Sequence, residues 1–521
     1  MLYSRVSGGG AERGEACCFL RSPPFPWVAS DVAAVSRPGH RTVVTDHDAI
    51  FAAIRVARVG GAFWLPSASG DGGGRVAADF DPWSIMEREG PVLADADDDL
   101  AIVAWLSGKV VIDTTGCSIS VDRLRKTAID RVESATYRNP FTGETADIAD
   151  VIAVLEEWRR TLDINRGACA TTGMAVWKRD HIARFLWDGT SSPVNLGNND
   201  ALERARSIGR ALAYWPSRTA ETMLAAARRN GVALWQIEDG FVRSTGLGAE
   251  CHPPFSIIAD PTGGIHYDPE NSSELEWILA SEVYDDKMTA RAQELRERLV
   301  TERIGKYGVD RGQVQTRFPT ERRSVLAVGQ VEDDRSILLG GGGIRSNIEF
   351  LRRVRQCEPN AFIVYRPHPD VMAGHRRGHV DEVRLNGVVD HVDAGGSLLG
   401  LVERVDCVHV ISSLTGFEAI LRDRDVVVHG TPFYAGWGLT RDLGPVPARR
   451  HRTLTVNELV AGALIKAPRY LDPVTMLPCT VETLVARMAA SPVPGKTLLT
   501  VFRAILGAVR RRLVLARGGD L

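Results

Sequence analysis

Ile148, Val151, Ile152, Leu155, Trp158 and Leu162 recur at steps of three and four residues. That spacing is the mark of an amphipathic helix and predicts that a folded module begins near residue 146. Further along, short β-rich runs alternate with helical stretches. The run 325–328 precedes a helix carrying Ile348, Leu351 and Val354 and then the run 362–365; the run 408–411 precedes a helix with Phe417, Ile420 and Leu421 and then the run 426–429. Strand, helix, strand in this rhythm predicts a parallel sheet. Residues 1 to about 90 are rich in Gly, Pro and Ser. With the run Gly70-Asp71-Gly72-Gly73-Gly74 they are expected to be a flexible connection, with no compact domain.

A partial internal repeat is also present. Ala104-Trp105-Leu106-Ser107-Gly108-Lys109-Val110-Val111 resembles Ala419-Ile420-Leu421-Arg422-Asp423-Arg424-Asp425-Val426, and Tyr137-Arg138-Asn139-Pro140 resembles Tyr470-Leu471-Asp472-Pro473. The first copy lacks much of the segment between its two landmarks, so residues 1–135 read as a worn half-module.

Composition narrows the class. The 521 residues allow two or three domains, and 44% hydrophobic with 25% charged residues is ordinary for globular proteins. A formal net charge of -2 gives no reason to expect a nucleic-acid partner. The eight cysteines form no CxxC pair and are expected to be reduced core thiols. No secretory leader and no run of about 18 apolar residues occurs, so a cytoplasmic protein is expected.

Four clusters carry candidate chemistry. Glu238-Asp239-Gly240-Phe241-Val242-Arg243-Ser244 follows an apolar run, where glycines would let a ligand approach the backbone or would form a tight acid-capped loop. Gln330-Val331-Glu332-Asp333-Asp334 follows the run 325–328; its acids suit metal ligation, helix capping or a catalytic carboxylate. In Tyr365-Arg366-Pro367-His368-Pro369-Asp370, prolines fix the direction of His368 and Arg366 offers a charge suited to phosphate. Ser412-Ser413-Leu414-Thr415-Gly416-Phe417-Glu418 opens a helix, where hydroxyls either cap it or help its N–H groups hold a phosphate.

These blocks, with Pro432-Phe433-Tyr434-Ala435-Gly436-Trp437-Gly438-Leu439 and in this order, resemble the capsule-polysaccharide retaining β-Kdo transferases of the KpsC/LipB type. The resemblance covers about residues 137–490 and is nearest that family's C-terminal module. Tyr137-Arg138-Asn139-Pro140-Phe141-Thr142-Gly143 resembles the connector between its two tandem modules. The first 135 residues contain no second Glu-Asp-Gly-Phe or Gln-x-x-x-Asp block, so one active site, making one linkage, is expected.

The resemblance implies an α/β, GT-B-like fold of two Rossmann-like domains facing across a cleft, plus the degenerate N-terminal half-module. The implied divisions are 1–135, an acceptor-side domain with a leading connector helix at 136–315, a CMP-sugar-binding domain at 316–490 and a basic amphipathic tail at 491–521. It further implies transfer of Kdo from CMP-Kdo to a Kdo-bearing glycolipid in building the linker on the capsule's lipid anchor, with no cofactor and no metal. Asp334 matches the nucleophile position and Glu238 the candidate general base; Asp239, Arg243, Gln330, Arg366, His368, Ser413, Thr415, Gly416 and Glu418 are the implied substrate-binding residues, Glu418 facing the ribose. A tail bearing Lys496, Arg503, Arg510, Arg511, Arg512 and Arg517 among apolar residues suits an anionic membrane surface or a docked helix, and places the protein peripherally on the inner face of the inner membrane. Capsule assembly and export proteins are the expected protein partners. Two rival readings remain: a GT-B enzyme using another nucleotide sugar, and a non-catalytic component of capsule assembly.

Overall fold

The computed structural model describes residues 18–39, 41–68, 79–246, 252–374 and 376–490. The glycine run 70–74 and the basic tail 491–521 lie outside the described residues. The chain divides into two compact units. The first takes in described residues up to 169, together with 182–194 and 471–483; the second takes in 170–181, 195–470 and 484–490.

The second unit is α/β. Its six-stranded sheet has the order His391–Val392, Phe362–Arg366, Ser324–Val328, Cys407–Val410, Asp425–Val428, Arg441–Asp442, and every pairing is parallel. The four β-rich runs predicted from sequence lie in this sheet, each offset by no more than one residue. Their Val and Ile residues are buried on both faces, as parallel strands covered by helices require. The helix Asn347–Cys357, capped by Ser346 accepting from Glu349 N–H, buries Ile348, Leu351 and Val354 against Val325, Ala327 and Ile363. In chain order the sheet runs 3-2-1-4-5-6. The direction of winding therefore reverses between Ser324–Val328 and Cys407–Val410, and ligands bind open sheets of this kind outside the carboxyl ends of the strands at that switch.

A second sheet in this unit contains Ala211–Tyr214 parallel to Leu234–Asp239, which in turn pairs antiparallel with Ser256–Asp260. Glu238 and Asp239 stand at the carboxyl end of the middle strand, opposite Ile258 and Ile257.

The first unit corrects two expectations. Phe19, Leu20, Val35, Phe51, Ile54, Phe63 and Trp83 are buried in one core, so the N-terminal segment is compact rather than a connection. Phe51, Ile54 and Ala57 lie at steps of three on the helix His47–Ala57, a period the sequence reading passed over, while Phe19, Leu20, Val35 and Phe63 sit in irregular backbone that carries no period. The helix Ile148–Asn165, assigned from sequence to the following domain, buries Val151, Ile152, Leu155, Trp158 and Leu162 in this same core. Arg159 of that helix pairs with the fully buried Asp81 at 2.6 Å, and Trp158 Nε1 donates to Pro478 O at 2.7 Å. Of the six described cysteines, Cys117 is exposed and Cys357 half-buried, so those two are not core thiols. No helix among the described residues is long and apolar enough to cross a membrane.

The repeat is a repeat of geometry. After the helix Asp99–Leu106 the chain turns through left-handed Gly108, and Lys109 N–H returns to Ala104 O at 2.9 Å. After Leu414–Ile420 it turns through left-handed Asp423, and Arg424 N–H returns to Ala419 O at 3.1 Å. Asn139 N–H bonds Glu144 O and Gly143 N–H bonds Asn139 O, both at 2.8 Å; Asp472 N–H bonds Leu477 O at 2.9 Å and Met476 N–H bonds Asp472 O at 2.8 Å. The likeness extends beyond the sequence repeat. Ser36 lies opposite Tyr137 and its hydroxyl donates to Leu20 O, as Ser256 lies opposite Tyr470 and its hydroxyl donates to Val242 O. Phe19-Leu20-Arg21-Ser22 thus holds the place of Phe241-Val242-Arg243-Ser244.

Burial pushes the Asp81 carboxyl above its ordinary range, and Arg159 opposes that shift. Removing the guanidinium leaves a buried carboxylate uncompensated, so Arg159→Met is expected to destabilise the protein by about 3–5 kcal/mol. The loss should be smaller at pH 5 than at pH 8, because a protonated Asp81 costs less to bury. Urea unfolding followed by tryptophan fluorescence at the two pH values checks both statements.

Candidate active site

The loop after Leu234–Asp239 is organised by one carboxylate. Asp239 Oδ1 accepts from Lys178 Nζ at 2.9 Å and Oδ2 from Arg243 Nε at 2.7 Å. Arg243 is 1% exposed and also donates to Ser244 Oγ and His252 O; Lys178 lies 3.6 Å from the centre of the Trp215 ring. Burial alone would raise the Asp239 carboxyl, but the two cations outweigh it and hold it below its ordinary range. Both its oxygens are engaged within the protein.

Glu238, one residue earlier on the opposite face of the strand, has the reverse fate. Burial, reinforced by the Asp239 charge and by Asp334, pushes its carboxyl up to about 7, against the pull of Lys178 and a hydrogen bond donated by Tyr267 at 3.0 Å. The positive charge of Arg335, the residue after Asp334, also acts on the Tyr267 hydroxyl. Asp334 caps the helix Arg335–Gly340: its Oδ1 accepts from Ser336 N–H at 3.0 Å and from Ser336 Oγ at 2.8 Å. Capping, one of the roles left open from sequence, is therefore real, and it occupies one oxygen only. His368 follows the next strand of the sheet. Its Nδ1 accepts from Asp370 N–H at 3.1 Å, which leaves the proton of the neutral ring on Nε2. Burial lowers its pKa, and the charges of Lys306 and Asp334 reach it. Glu238, Asp334 and His368 thus come from three strand ends and act on one electrostatic neighbourhood.

Other residues singled out in the sequence serve the architecture. The Gln330 side chain joins the two loops of the switch point, accepting from Ser412 N–H at 2.8 Å and donating to Ser412 Oγ at 3.2 Å. Arg366 is paired with Asp393 and bonds the carbonyls of Gly395 and Gly396, so its charge is already matched. Ser413 caps Leu414–Ile420 by accepting from Thr415 N–H, and Thr415 is buried. Gly416 leaves room for the Tyr434 hydroxyl, which a Cβ would meet at 2.3 Å and which donates to Ser413 O. Glu418 accepts from Lys306 N–H at 3.2 Å, and burial raises its pKa. Aromatic residues tie the blocks together: Phe241 stacks on Phe433 at 4.3 Å, and Phe417 lies 5.3 Å from Phe433.

Lys178, Tyr267 and Lys306 were not legible in the sequence, since each is isolated from the blocks and carries no motif of its own. Among the described residues one group has ligand atoms close enough for a metal ion, Glu358, Cys407 and His409. It lies toward the amino-terminal edge of the sheet, with Arg323 beside the cysteine and the glutamate.

The sequence profile described as capsule polysaccharide biosynthesis protein matches residues 210–470, half of the chain. The chain belongs to this family. Members similar to it include the capsule polysaccharide modification protein LipA of Neisseria meningitidis serogroup B, 38% identical over 355 residues that cover 68% of this chain and 50% of LipA. The lipopolysaccharide-processing protein LpsZ of Rhizobium meliloti is 36% identical over 306 residues, 57% of this chain and 69% of LpsZ. The chain therefore spans about half the length of the LipA relatives. Two solved structures from Thermosulfurimonas dismutans KpsC are similar: the β-Kdo 2,7 transferase, 32% identical with a TM-score of 0.51, and the β-Kdo 2,4 transferase, 27% identical with a TM-score of 0.54. Each match covers 62% of this chain and 98% of the solved chain. The matched family segment contains Glu238, Asp334, His368 and Lys306, and ends at Tyr470.

Asp239→Asn leaves Lys178 and Arg243 buried beside a neutral amide. A loss of about 3–5 kcal/mol is expected, as for other buried ion pairs deprived of one partner. Thermal unfolding of this variant should show a clearly lower midpoint, whereas an unchanged midpoint would assign Asp239 to the substrate rather than to the fold.

Proposed function

We propose that this chain is a retaining β-Kdo transferase of GT-B arrangement that uses CMP-Kdo and extends a Kdo-bearing glycolipid in the linker of a capsule's lipid anchor. The observation that carries the reading is a pair of carboxyls at strand ends: Glu238, pushed up to about 7 and hydrogen-bonded by Tyr267, and Asp334, with one oxygen uncommitted. A base that ionises near neutral pH and a carboxylate with a free oxygen are what a double displacement requires.

In the first step the free oxygen of Asp334 attacks the anomeric carbon, and the bond from that carbon to the phosphate oxygen breaks with its electron pair leaving on CMP. In the second, the acceptor hydroxyl attacks the same carbon, its proton passes to Glu238, and the ester to Asp334 breaks, regenerating the carboxylate. Two inversions give retention. The similarity to two Kdo transferases supports the donor, and a single set of these residues in the second unit supports a single linkage. We place the protein at the cytoplasmic face of the inner membrane, with anionic lipid and capsule assembly and export proteins as its neighbours, on the strength of the basic tail and the lipid character of the acceptor.

Asp334→Asn should abolish transfer from CMP-Kdo, as loss of a nucleophile costs several orders of magnitude. Retention of more than about a tenth of wild-type turnover would remove Asp334 from that role. The donor is checked alongside by comparing CMP-Kdo with CMP-sialic acid and UDP-sugars.

A base works only when ionised, so kcat/KM should fall as pH drops below about 7, by up to tenfold per unit. Tyr267 donates to the ionised Glu238; Tyr267→Phe removes that support and should move the acid limb upward in pH. A limb that stays in place in Tyr267→Phe and persists in Glu238→Gln would assign the titration to another group.

A further inference from the structure

A donor with a sugar carboxylate and a phosphodiester brings two negative charges to the site. The two arginines that the sequence offered to meet them are held in ion pairs inside the protein, Arg243 with Asp239 and Arg366 with Asp393. Lys178 shares the Asp239 carboxylate, so that triad keeps one positive charge in excess, but both of its cations are bonded to Asp239. A cation at the site with no carboxylate of its own has to be sought elsewhere, and Lys306 answers that description: among the described residues its ammonium forms no ion pair, and its nearest aromatic neighbour is the Tyr307 ring, with the centroid at 5.5 Å.

The backbone around it is unusually well fixed for a turn. Lys306 and Tyr307 are the two residues of a hairpin between Ile304–Gly305 and Gly308–Val309. Lys306 N–H donates to Glu418 Oε1 at 3.2 Å, and Lys306 O accepts from Arg243 N–H at 2.9 Å. Gly246 N–H donates to Tyr307 O at 3.2 Å. A Cβ at Gly305 would meet Glu418 Oε1 at 2.7 Å, so the hairpin is seated at a distance only glycine permits. Two of the motif blocks, around Arg243 and around Glu418, thus clamp the peptide of a residue that belongs to neither. Its charge acts on Asp334, His368, His266 and Asp239, and the backbone contacts hold the hairpin against the loop that carries Arg243 and the helix that carries Glu418.

We propose that Lys306 is a substrate-binding residue of this site whose ammonium takes an anionic oxygen of the donor at the reacting carbon. The proposal rests on the transferase reading above and deepens it. In a CMP-activated 2-keto sugar acid the carboxylate and the phosphate oxygen are both attached to the anomeric carbon, so a lysine beside the nucleophile reaches one or the other. Held against the carboxylate it fixes the orientation of the ring; held against the phosphate it stabilises the charge that develops on the leaving group. It also accounts for Glu418: a buried carboxylate on the peptide of Lys306 positions that lysine, a role not foreseen from its place in the motif.

The test is Lys306→Met, which keeps the length of the stem and removes the charge, with Lys306→Arg as the rescue. Loss of a charge-assisted hydrogen bond should lower kcat/KM for CMP-Kdo by about 10- to 100-fold, and arginine should restore much of it. Thermal midpoints should stay close to wild type, since the ammonium forms no ion pair among the described residues and the hairpin is held through its backbone. Calorimetric titration with CMP separates the two sources of the anion: weaker CMP binding in Lys306→Met assigns the phosphate, whereas unchanged CMP binding with impaired transfer assigns the carboxylate. A Lys306→Met protein within twofold of wild type in both transfer and CMP binding overturns the proposal. Wild-type protein that transfers nothing from CMP-Kdo defeats the donor assignment alone; Lys306 is then judged on CMP and inorganic phosphate, where equal affinities in wild type and Lys306→Met overturn it.

Discussion

A carboxylate buried between two buried cations is the constraint on which the site is built. Asp239 could not remain ionised in so dry a place without Lys178 and Arg243, and neither cation would be tolerated there without Asp239. The pairing does more than cancel charge. It fixes the peptide of Arg243, which carries the carbonyl of Lys306 on its N–H, and it sets the loop so that Phe241 lies flat on Phe433. The negative charge of Asp239 in turn contributes to holding Glu238 near neutrality. One ion triad therefore positions a hairpin, an aromatic cluster and the protonation state of the adjacent acid.

Parallel strands were easy to read because they are buried on both faces and leave uninterrupted apolar runs, as at Val325 to Val328. Residues at their carboxyl ends stood out as polar clusters for the same reason. What a cluster does not reveal is where its charges are spent. Arg366 looks like a phosphate ligand in sequence, and its pairing with Asp393, 27 residues further on with nothing in the sequence to connect them, shows only in three dimensions. Lys306 shows the converse, a single polar residue in a loop that gains its meaning from two backbone contacts made by distant motifs. Tyr267 and Lys178 were hidden in the same way. The core of the first unit escaped notice since Phe19, Leu20, Val35 and Phe63 sit in irregular backbone that carries no period.

The two copies of the repeat share their backbone devices. Left-handed turns at Gly108 and Asp423, the loops after Asn139 and Asp472, and the serine hydroxyls at 36 and 256 persist in register. Local hydrogen bonds of this kind are required by the backbone whatever the site does, so they tolerate the loss of function around them. Arg21 illustrates the shift: it holds the place of Arg243 but pairs with Asp99, a helix residue, at 2.7 Å.

The core of the first unit is closed by Leu477, and Trp27 and Trp158 donate to the carbonyls of Met476 and Pro478. The preceding member of that core is Trp187, 290 positions earlier (477 minus 187). On the ribosome, at roughly 5–20 residues per second, this leaves an interval of about 15–60 s in which a nearly complete apolar cluster lacks its final strip of chain. Residues 195–470, most of the second unit, are synthesised within that interval. The first unit therefore cannot complete its core until most of the second has been made, so its order of assembly is set by the path of the chain rather than by the stability of the finished fold.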